Sequence, residues 1–531
     1  MTPRMGQCAG EPDRCPLPRR RRMTTVEVTT AVDDEELAAF LAPRDDVVRE
    51  APPTGPPDDL RFGLDAGPFR RYERRVRVRA AADGRHEVTQ TTEFVLGIGF
   101  WSFLFLPLIR RATRRPGGAS PWWAPPQVLD AQAGASLASL ASLSLIGGYL
   151  GTLITQTLTY AADEFDVGER AQSDTFAAVR IGVFLAMAVA AWADRNGRRR
   201  ALLWCAGAGI VATSLGALAP NMVVLGGTQL VARGLSTALA LLIVVVVAEE
   251  MPAGSRAYGV SLLTMTAGLG AGNVLWLLPL VELDERAWRI LYIVPLLFLP
   301  LVRITAPLLP ESRRFVRRHA TARFAGHGGR LALLAGSALA LAAFSSPASQ
   351  LQNEYLREDF GFSAAQITAF TILTITPGGL GIVLGGRLAD VRGKRLIGGI
   401  GVAGGTIFTA LMYLTDSPPL LWAASAVGSI IGGLAVPALS VYGPELFPTS
   451  LRTKANVAIT ALGVSGSVVG LLIAGRLAER WSLGPGVAAL AVGPAIVVLL
   501  LLPRYPETAH RELEELNPED ALGMPGAGGI L

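Results

Sequence analysis

The chain has 531 residues, 50% of them apolar and only 17% charged, with a mean hydropathy of +0.40, which excludes a disordered chain and points to a membrane protein. All but Lys394 and Lys454 of its 48 basic residues are arginine, so the net charge of +5 reflects that bias and implies no nucleic acid. Cys8, Cys15 and Cys205 are too scattered for a disulfide framework or a zinc site, and no metal or cofactor is expected.

Residues 1–130 carry 20 arginines, a Pro-rich linker from Pro52 to Pro57, and two alternating runs around Asp83-Gly84 that predict a β-hairpin. This stretch reads as a small basic cytoplasmic extension. Met23 follows the Arg19–Arg22 run, so residues 1–22 are either an over-called start or a basic tail, and they lack the apolar region of a signal peptide. Phe94 to Ile109 holds 16 uncharged residues ahead of Arg110, Arg111, Arg114 and Arg115. That is short for a membrane crossing, and a crossing would place the Arg-rich stretch outside. An interfacial or re-entrant segment beneath the bundle is expected instead.

From Ala131 onward the chain offers twelve apolar stretches near the 20 residues that a crossing helix needs. In order they are Ser136–Ala161, Ser173–Trp192, Ala201–Ala219, Met222–Ala248, Ala257–Val281, Ile290–Leu309, Leu331–Gln350, Ser363–Gly386, Leu396–Leu414, Pro418–Gly443, Ala455–Gly475 and Gly484–Leu502. Basic residues crowd the loops after spans 2, 4, 6, 8 and 10, against six in the loops on the other side, which places both termini in the cytoplasm and the chain in the inner membrane.

One offset of 196 residues aligns three landmarks on the cytoplasmic side. Ala193-Asp194-Arg195-Asn196-Gly197-Arg198-Arg199 matches Ala389-Asp390-Val391-Arg392-Gly393-Lys394-Arg395; Glu249, Pro252 and Arg256 match Glu445, Pro448 and Arg452; Pro310-Glu311 matches Pro506-Glu507. Repeated basic loops alone would not preserve acids, prolines and glycines at one spacing. The expected fold is therefore an all-α membrane protein of 12 transmembrane helices in two pseudo-twofold six-helix bundles, residues 131–310 and 331–503. A linker of residues 311–330 joins them and residues 504–531 form a tail. Such bundles rock about a site at the midplane.

At these residues the sequence resembles the major facilitator superfamily, whose signature after span 2 is Gly-x-x-x-Asp-Arg-x-Gly-Arg-Arg. Gly386 through Arg395 gives the full form except for Val391, while Ala190 stands where the first copy's glycine is expected. Glu445-Leu446-Phe447-Pro448 with Arg452, Pro310-Glu311-Ser312 and Pro506-Glu507-Thr508 are most similar to the sugar porters and their organic-ion relatives. The resemblance covers residues 131–510. It implies that Asp194 faces the start of span 11, Asp390 the start of span 5, Arg198 pairs near Glu249, and Lys394 near Glu445. With Arg195, Gly197, Arg256, Glu311, Gly393, Arg452 and Glu507 these would form a cytoplasmic latch made only when that side is closed. The alternative is that these charges merely anchor loops in water.

Ionisable residues inside spans suggest function. Arg180 and Arg233 are the clear ones, without an acid at the same depth in any span. Either an anionic or carboxylate-bearing substrate supplies the missing charge, or each arginine snorkels to the interface or bonds helix carbonyls. Thr152, Gln156, Gln229, Asn273, Trp276, Gln350 and Thr374 are further candidates for lining a cavity, each alone equally suited to helix packing. Leu150 stands where proton-coupled sugar porters carry an acid, which argues against a hexose and leaves proton coupling unsupported. With four histidines, no nucleophile motif and no Walker loop, the chain reads as a transporter of a small polar organic solute, expected to be a monomer in the bilayer. A transporter-like sensor without net flux is the alternative.

Overall fold

The computed structural model describes residues 23–80, 85–167, 169–312 and 326–523. Its first part is a small α+β unit. Strand β1 (Thr24–Val32) pairs antiparallel with β5 (His86–Leu96), and β5 pairs with β4 (Phe69–Ala80) in a register that sets Val78 opposite Val88. With β3 (Asp59–Ala66) and β2 (Arg49–Glu50) the sheet order is β1-β5-β4-β3-β2. The hairpin expected from alternation is thus the middle of a five-stranded sheet, and its tip at residues 81–84 lies outside the described residues. The segment Pro52 to Pro57 is no linker. Thr54 and Arg61 exchange backbone hydrogen bonds of 2.9 and 2.8 Å across it, so it is the turn into β3.

Alternation decides the faces of the sheet. Phe62, Val76 and Val88 point inward and meet Phe40 of helix α1 (Asp34–Leu41), whose first N–H groups are capped by Asp33 at 2.9 Å from the Glu36 nitrogen. Arg74 shares that interior, fully buried. Its guanidinium makes two bonds of 2.7 and 2.8 Å to Glu50, donates to the Phe40 and Ala42 carbonyls, and lies 4.0 Å from the Phe62 ring centroid. A buried charge survives only when its donors are matched in this way. Tyr72 donates to the same Glu50 at 2.7 Å, and burial together with that carboxylate pushes its phenol upward.

Residues 99–101 form a short turn leading into helix α2 (Ser102–Thr113), whose twelve residues reach about 18 Å, less than the hydrocarbon thickness. The helix lies against the bundle, where the Trp101 indole donates at 3.1 Å to Ala138 O and Ser142 Oγ of span 1.

Eleven helices among the described residues are long and apolar enough to cross a bilayer: spans 1 (Ala131–Glu164), 3 (Arg198–Leu218), 4 (Met222–Glu250), 5 (Ala253–Val281), 6 (Trp288–Thr305), 7 (Gly328–Gln350), 8 (Gln366–Arg392), 9 (Lys394–Leu414), 10 (Pro418–Glu445), 11 (Thr449–Trp481) and 12 (Leu483–Arg504). The expected twelfth, span 2, is present as two shorter helices, Glu169–Arg180 and Gly182–Asn196, interrupted at Ile181. Adding 196 to 181 gives 377, and span 8 is interrupted there too, between Ile375 and Gly378. Pro377 explains the second break, because its ring removes an N–H and crowds the preceding turn. Nothing comparable in sequence marks the first.

The repeat extends into the packing. Spans 1 and 5 touch so closely at Gly270 that a Cβ there would stand 1.9 Å from the Leu145 carbonyl oxygen, and at Gly466, 196 residues on, a Cβ would stand 2.2 Å from Leu339 O of span 7. Absence of a side chain lets these backbones meet, the usual solution where lipid supplies no hydrophobic drive between helices.

Candidate functional site

The loops after spans 2, 4, 8 and 10 converge at one end of the bundle, here called the basic end, and join its two halves through buried charges. Glu249, at the end of span 4, contacts Arg198 of its own half and receives Arg452 of the other half at 2.5 Å. Glu445, at the end of span 10, receives Lys394 of its own half at 2.6 Å and Arg256 of the other half at 3.3 Å. All six side chains are at most 1% exposed. Each carboxylate therefore takes one base from each half, which offsets the desolvation that makes isolated buried pairs a weak source of stability.

A second layer uses helix ends. Asp390, fully buried, accepts from the backbone N–H groups of Ala257 (3.1 Å) and Tyr258 (2.8 Å) near the start of span 5. A carboxylate there meets orphan N–H groups and the positive end of the helix dipole. Its counterpart Asp194 reaches the start of span 11, where it accepts from the Thr453 hydroxyl at 2.6 Å. A third layer lies within each half. Glu311 accepts from the Arg198 and Arg199 nitrogens at 2.9 and 3.1 Å, and Glu507 from those of Lys394 and Arg395 at 3.0 and 3.2 Å. These caps demand the turns at Gly197 and Gly393, whose φ angles of +101° and +106° favour glycine. Arg195 is exposed beside them.

Ser312, the last residue of the Pro310-Glu311-Ser312 motif, donates to Glu249 at 2.6 Å. Other partners in this network carry no motif. The tail after span 12 folds back across the basic end: Asp520 lies 3.4 Å from Arg452 and accepts from the Thr449 backbone N–H at 2.9 Å, Asn517 donates to Glu445 O at 2.7 Å, and Glu512 lies 3.2 Å from Arg256. Arg387, in the last turns of span 8, donates to the carbonyls of Ser120, Pro121 and Ala124 at 2.6–3.1 Å. The same segment is held to the first half by Tyr258, whose hydroxyl donates to Trp123 O at 2.8 Å, and by Gln127, bonded to Ser255 and Gly254. The stretch before span 1 is thereby strapped to both halves. Side-chain partners this far apart in sequence, such as Arg387 and Pro121, leave no local signal.

Between the halves, a cavity of about 440 Å³ is bounded by Thr237 of span 4, Ser337 of span 7, Ser440 of span 10, and Asn456 and Thr460 of span 11. A second, of about 510 Å³, shares Leu341, Leu439 and Ser440 with the first and extends among spans 7, 9 and 10 past Ser349, Thr409 and Gln352. None of the nine residues singled out from sequence lines either cavity. The Arg233 carbonyl accepts from the cavity residue Thr237 at 2.9 Å, but the Nη1 of Arg233 reaches to 3.5 Å from where a Cβ on Gly151 of span 1 would stand. Thr152, Gln156 and Asn273 are half-buried on spans 1 and 5. Gln229 is buried against Gly216 of span 3, close to Tyr292 of span 6, and Thr374 is buried bonding Ser425 of span 10 at 2.9 Å, so both pack inside one half. Trp276 and Gln350 are exposed, the latter donating to Ser346 at 2.8 Å. Arg180 ends the first part of span 2, and its side chain lies outside the described residues. Depth along a span is legible in sequence, whereas lining depends on which face of the helix a residue occupies.

Residues 333–523 match the model of the Major Facilitator Superfamily. The cis,cis-muconate transport protein of Acinetobacter baylyi is 28% identical over 149 residues, 28% of this chain and 36% of that protein. The puromycin resistance protein pur8 of Streptomyces alboniger is 32% identical over 184 residues, 33% of this chain and 35% of that protein. The matched stretches thus span about a third of each relative's length. The fold is shared with the human organic anion transporter MFSD10 (TM-score 0.59, 15% identity, 70% of this chain and 99% of that one) and with the proton:xylose symporter XylE (TM-score 0.58, 18% identity, 74% and 99%).

Proposed function

We propose that the chain is a Major Facilitator Superfamily protein and a secondary transporter, moving a small polar organic solute across the cytoplasmic membrane by alternating access. One observation carries the reading: Glu249 and Glu445 each hold a base from both halves, so the basic end closes only by bringing the halves together. We take that end as cytoplasmic, from its excess of basic residues. The conformation is then one with the cytoplasmic side shut.

The hydroxyl and amide groups of Ser337, Ser440, Asn456 and Thr460 suit hydrogen bonding to a small polar solute. The names of the muconate relative and of the organic anion transporter support an anion or carboxylate as that solute. The coupling ion is not assigned by any residue of the cavity. A panel of carboxylates, neutral polyols and cations, screened for thermal stabilisation of the purified protein at two pH values and followed by uptake into liposomes, tests the reading. Stabilisation by cations alone overturns the anion assignment. Stabilising ligands without flux favour instead a transporter-like sensor, a reading supported by the strapping of the folded N-terminal unit to both halves through Arg387 and Tyr258.

A further inference from the structure

A third cavity, of about 310 Å³, lies apart from the other two, bounded by α2, span 1, span 5 and the segment before span 1. Its walls include Phe105 and Ile109 of α2, Leu137 and Ala141 of span 1, and Met265 and Leu269 of span 5. Four polar side chains at its boundary already have partners. Asp46 is held by Arg44 at 2.7 Å, the Trp101 indole donates to Ala138 O, the Tyr258 hydroxyl to Trp123 O, and the Thr266 hydroxyl to Leu263 O. The occupant this space suits is a hydrocarbon.

The entrance identifies its source. Leu104, Met265 and Leu269 line the cavity yet are 51%, 40% and 39% exposed, so the mouth opens sideways onto apolar surface. Met265 stands nine residues after Arg256, about 14 Å into span 5, which is hydrocarbon depth in the leaflet at the basic end. The exposed Phe100 and Phe103 continue the apolar surface at the start of α2. At the other end of α2, directly after the wall residue Ile109, come the exposed Arg110, Arg111, Arg114 and Arg115. A run of arginines beside an apolar slot matches a phosphate headgroup above an acyl chain, and such clusters favour anionic lipid.

We propose that this cavity binds one acyl chain of an anionic glycerophospholipid from that leaflet, with its phosphate held by the arginines at the end of α2. The site belongs to the N-terminal unit and the first half, and it is independent of what the transporter carries.

Native mass spectrometry of the full chain, delipidated and then titrated with phosphatidylglycerol or phosphatidylcholine of identical chains, tests it. The unaltered protein is expected to retain one phosphatidylglycerol that Ala141→Trp and Leu262→Trp, filling the cavity from opposite walls, each lose. Replacing all four arginines by alanine should reduce the preference for phosphatidylglycerol by about tenfold or more. Should both filled variants fail to fold, phosphatidylglycerol bearing a diazirine near the chain terminus, photolysed in vesicles with the unaltered protein, decides the matter. Cross-links within residues 98–109 or 258–269 support the site, and cross-links only elsewhere overturn it. Equal lipid retention by filled and unaltered protein, or a retained mass that is not a glycerophospholipid, overturns it as well.

Discussion

The two copies of the basic-end network occupy equivalent positions yet solve the same problem differently. Asp390 is fully buried and satisfies two main-chain N–H groups of the opposite half, whereas Asp194 keeps 17% of its side chain exposed and takes a single hydroxyl there. The positions facing them, Ala257 and Thr453, are 196 residues apart. Thr453 presents a hydroxyl to its carboxylate, while Ala257 has none, and there the carboxylate reaches the helix backbone. Sequence symmetry thus fixes where the halves meet, and local chemistry fixes how firmly each copy holds.

The largest expected effect abolishes the distinction. Glu445→Ala or Glu249→Ala strands two buried cations in either copy and should cost about 3–5 kcal/mol. A lower melting temperature, together with thiol labelling from the basic end in a variant carrying Thr460→Cys in the cavity, checks this; unchanged melting and labelling mean the pairs do not close that end. Next, Asp390→Asn and Asp194→Asn sharpen the comparison. Loss of a charged cap on two buried N–H groups predicts liposome uptake slowed about tenfold or more for the first, and only a few-fold for the second. Equal slowing would show that burial and backbone capping make no difference.

Gly393→Ala and Gly197→Ala should each lower stability by about 1–3 kcal/mol. Both need positive φ, and at Gly393 an added Cβ would stand 2.8 Å from a Glu507 oxygen; thermal melts of the two variants check the loss. The smallest effect is expected for Thr453→Val, which removes one hydroxyl bond worth about 1 kcal/mol; melts should scarcely move while uptake falls a few-fold. An Asp194→Ala, Thr453→Val double variant no slower than Asp194→Ala alone is the matching expectation, since both changes remove the same contact.

What sequence reveals here follows from what repeats. Asp194, Glu249, Asp390 and Glu445 were legible because duplication copies a charge and its spacing together. Eleven of the twelve expected spans were legible because hydrocarbon thickness imposes a length. The break at Ile181 was not, as it carries no proline, although its partner at Pro377 does. In the N-terminal unit, alternation around Asp83-Gly84 disclosed β4 and β5, while β1 and β3 needed partners distant in sequence to declare themselves strands. Polar residues for the cavity were the least legible. Thr374 and Gln229 lie at plausible depths but face neighbouring helices of their own half, and Ser337, Ser440 and Asn456, which do line the cavity, are ordinary helix residues in composition.

The return of the tail across the basic end has a consequence for assembly. Asp520 and Asn517, which brace Arg452 and Glu445, follow all eleven described helices long enough to cross a bilayer. During translation the door between the bundles is hung before its bolt exists, so a nascent chain with those eleven helices inserted still lacks the last contacts that hold the halves together at the basic end. A bulky fusion grafted straight after residue 520 would press on that bolt, and tags for purification are better placed elsewhere.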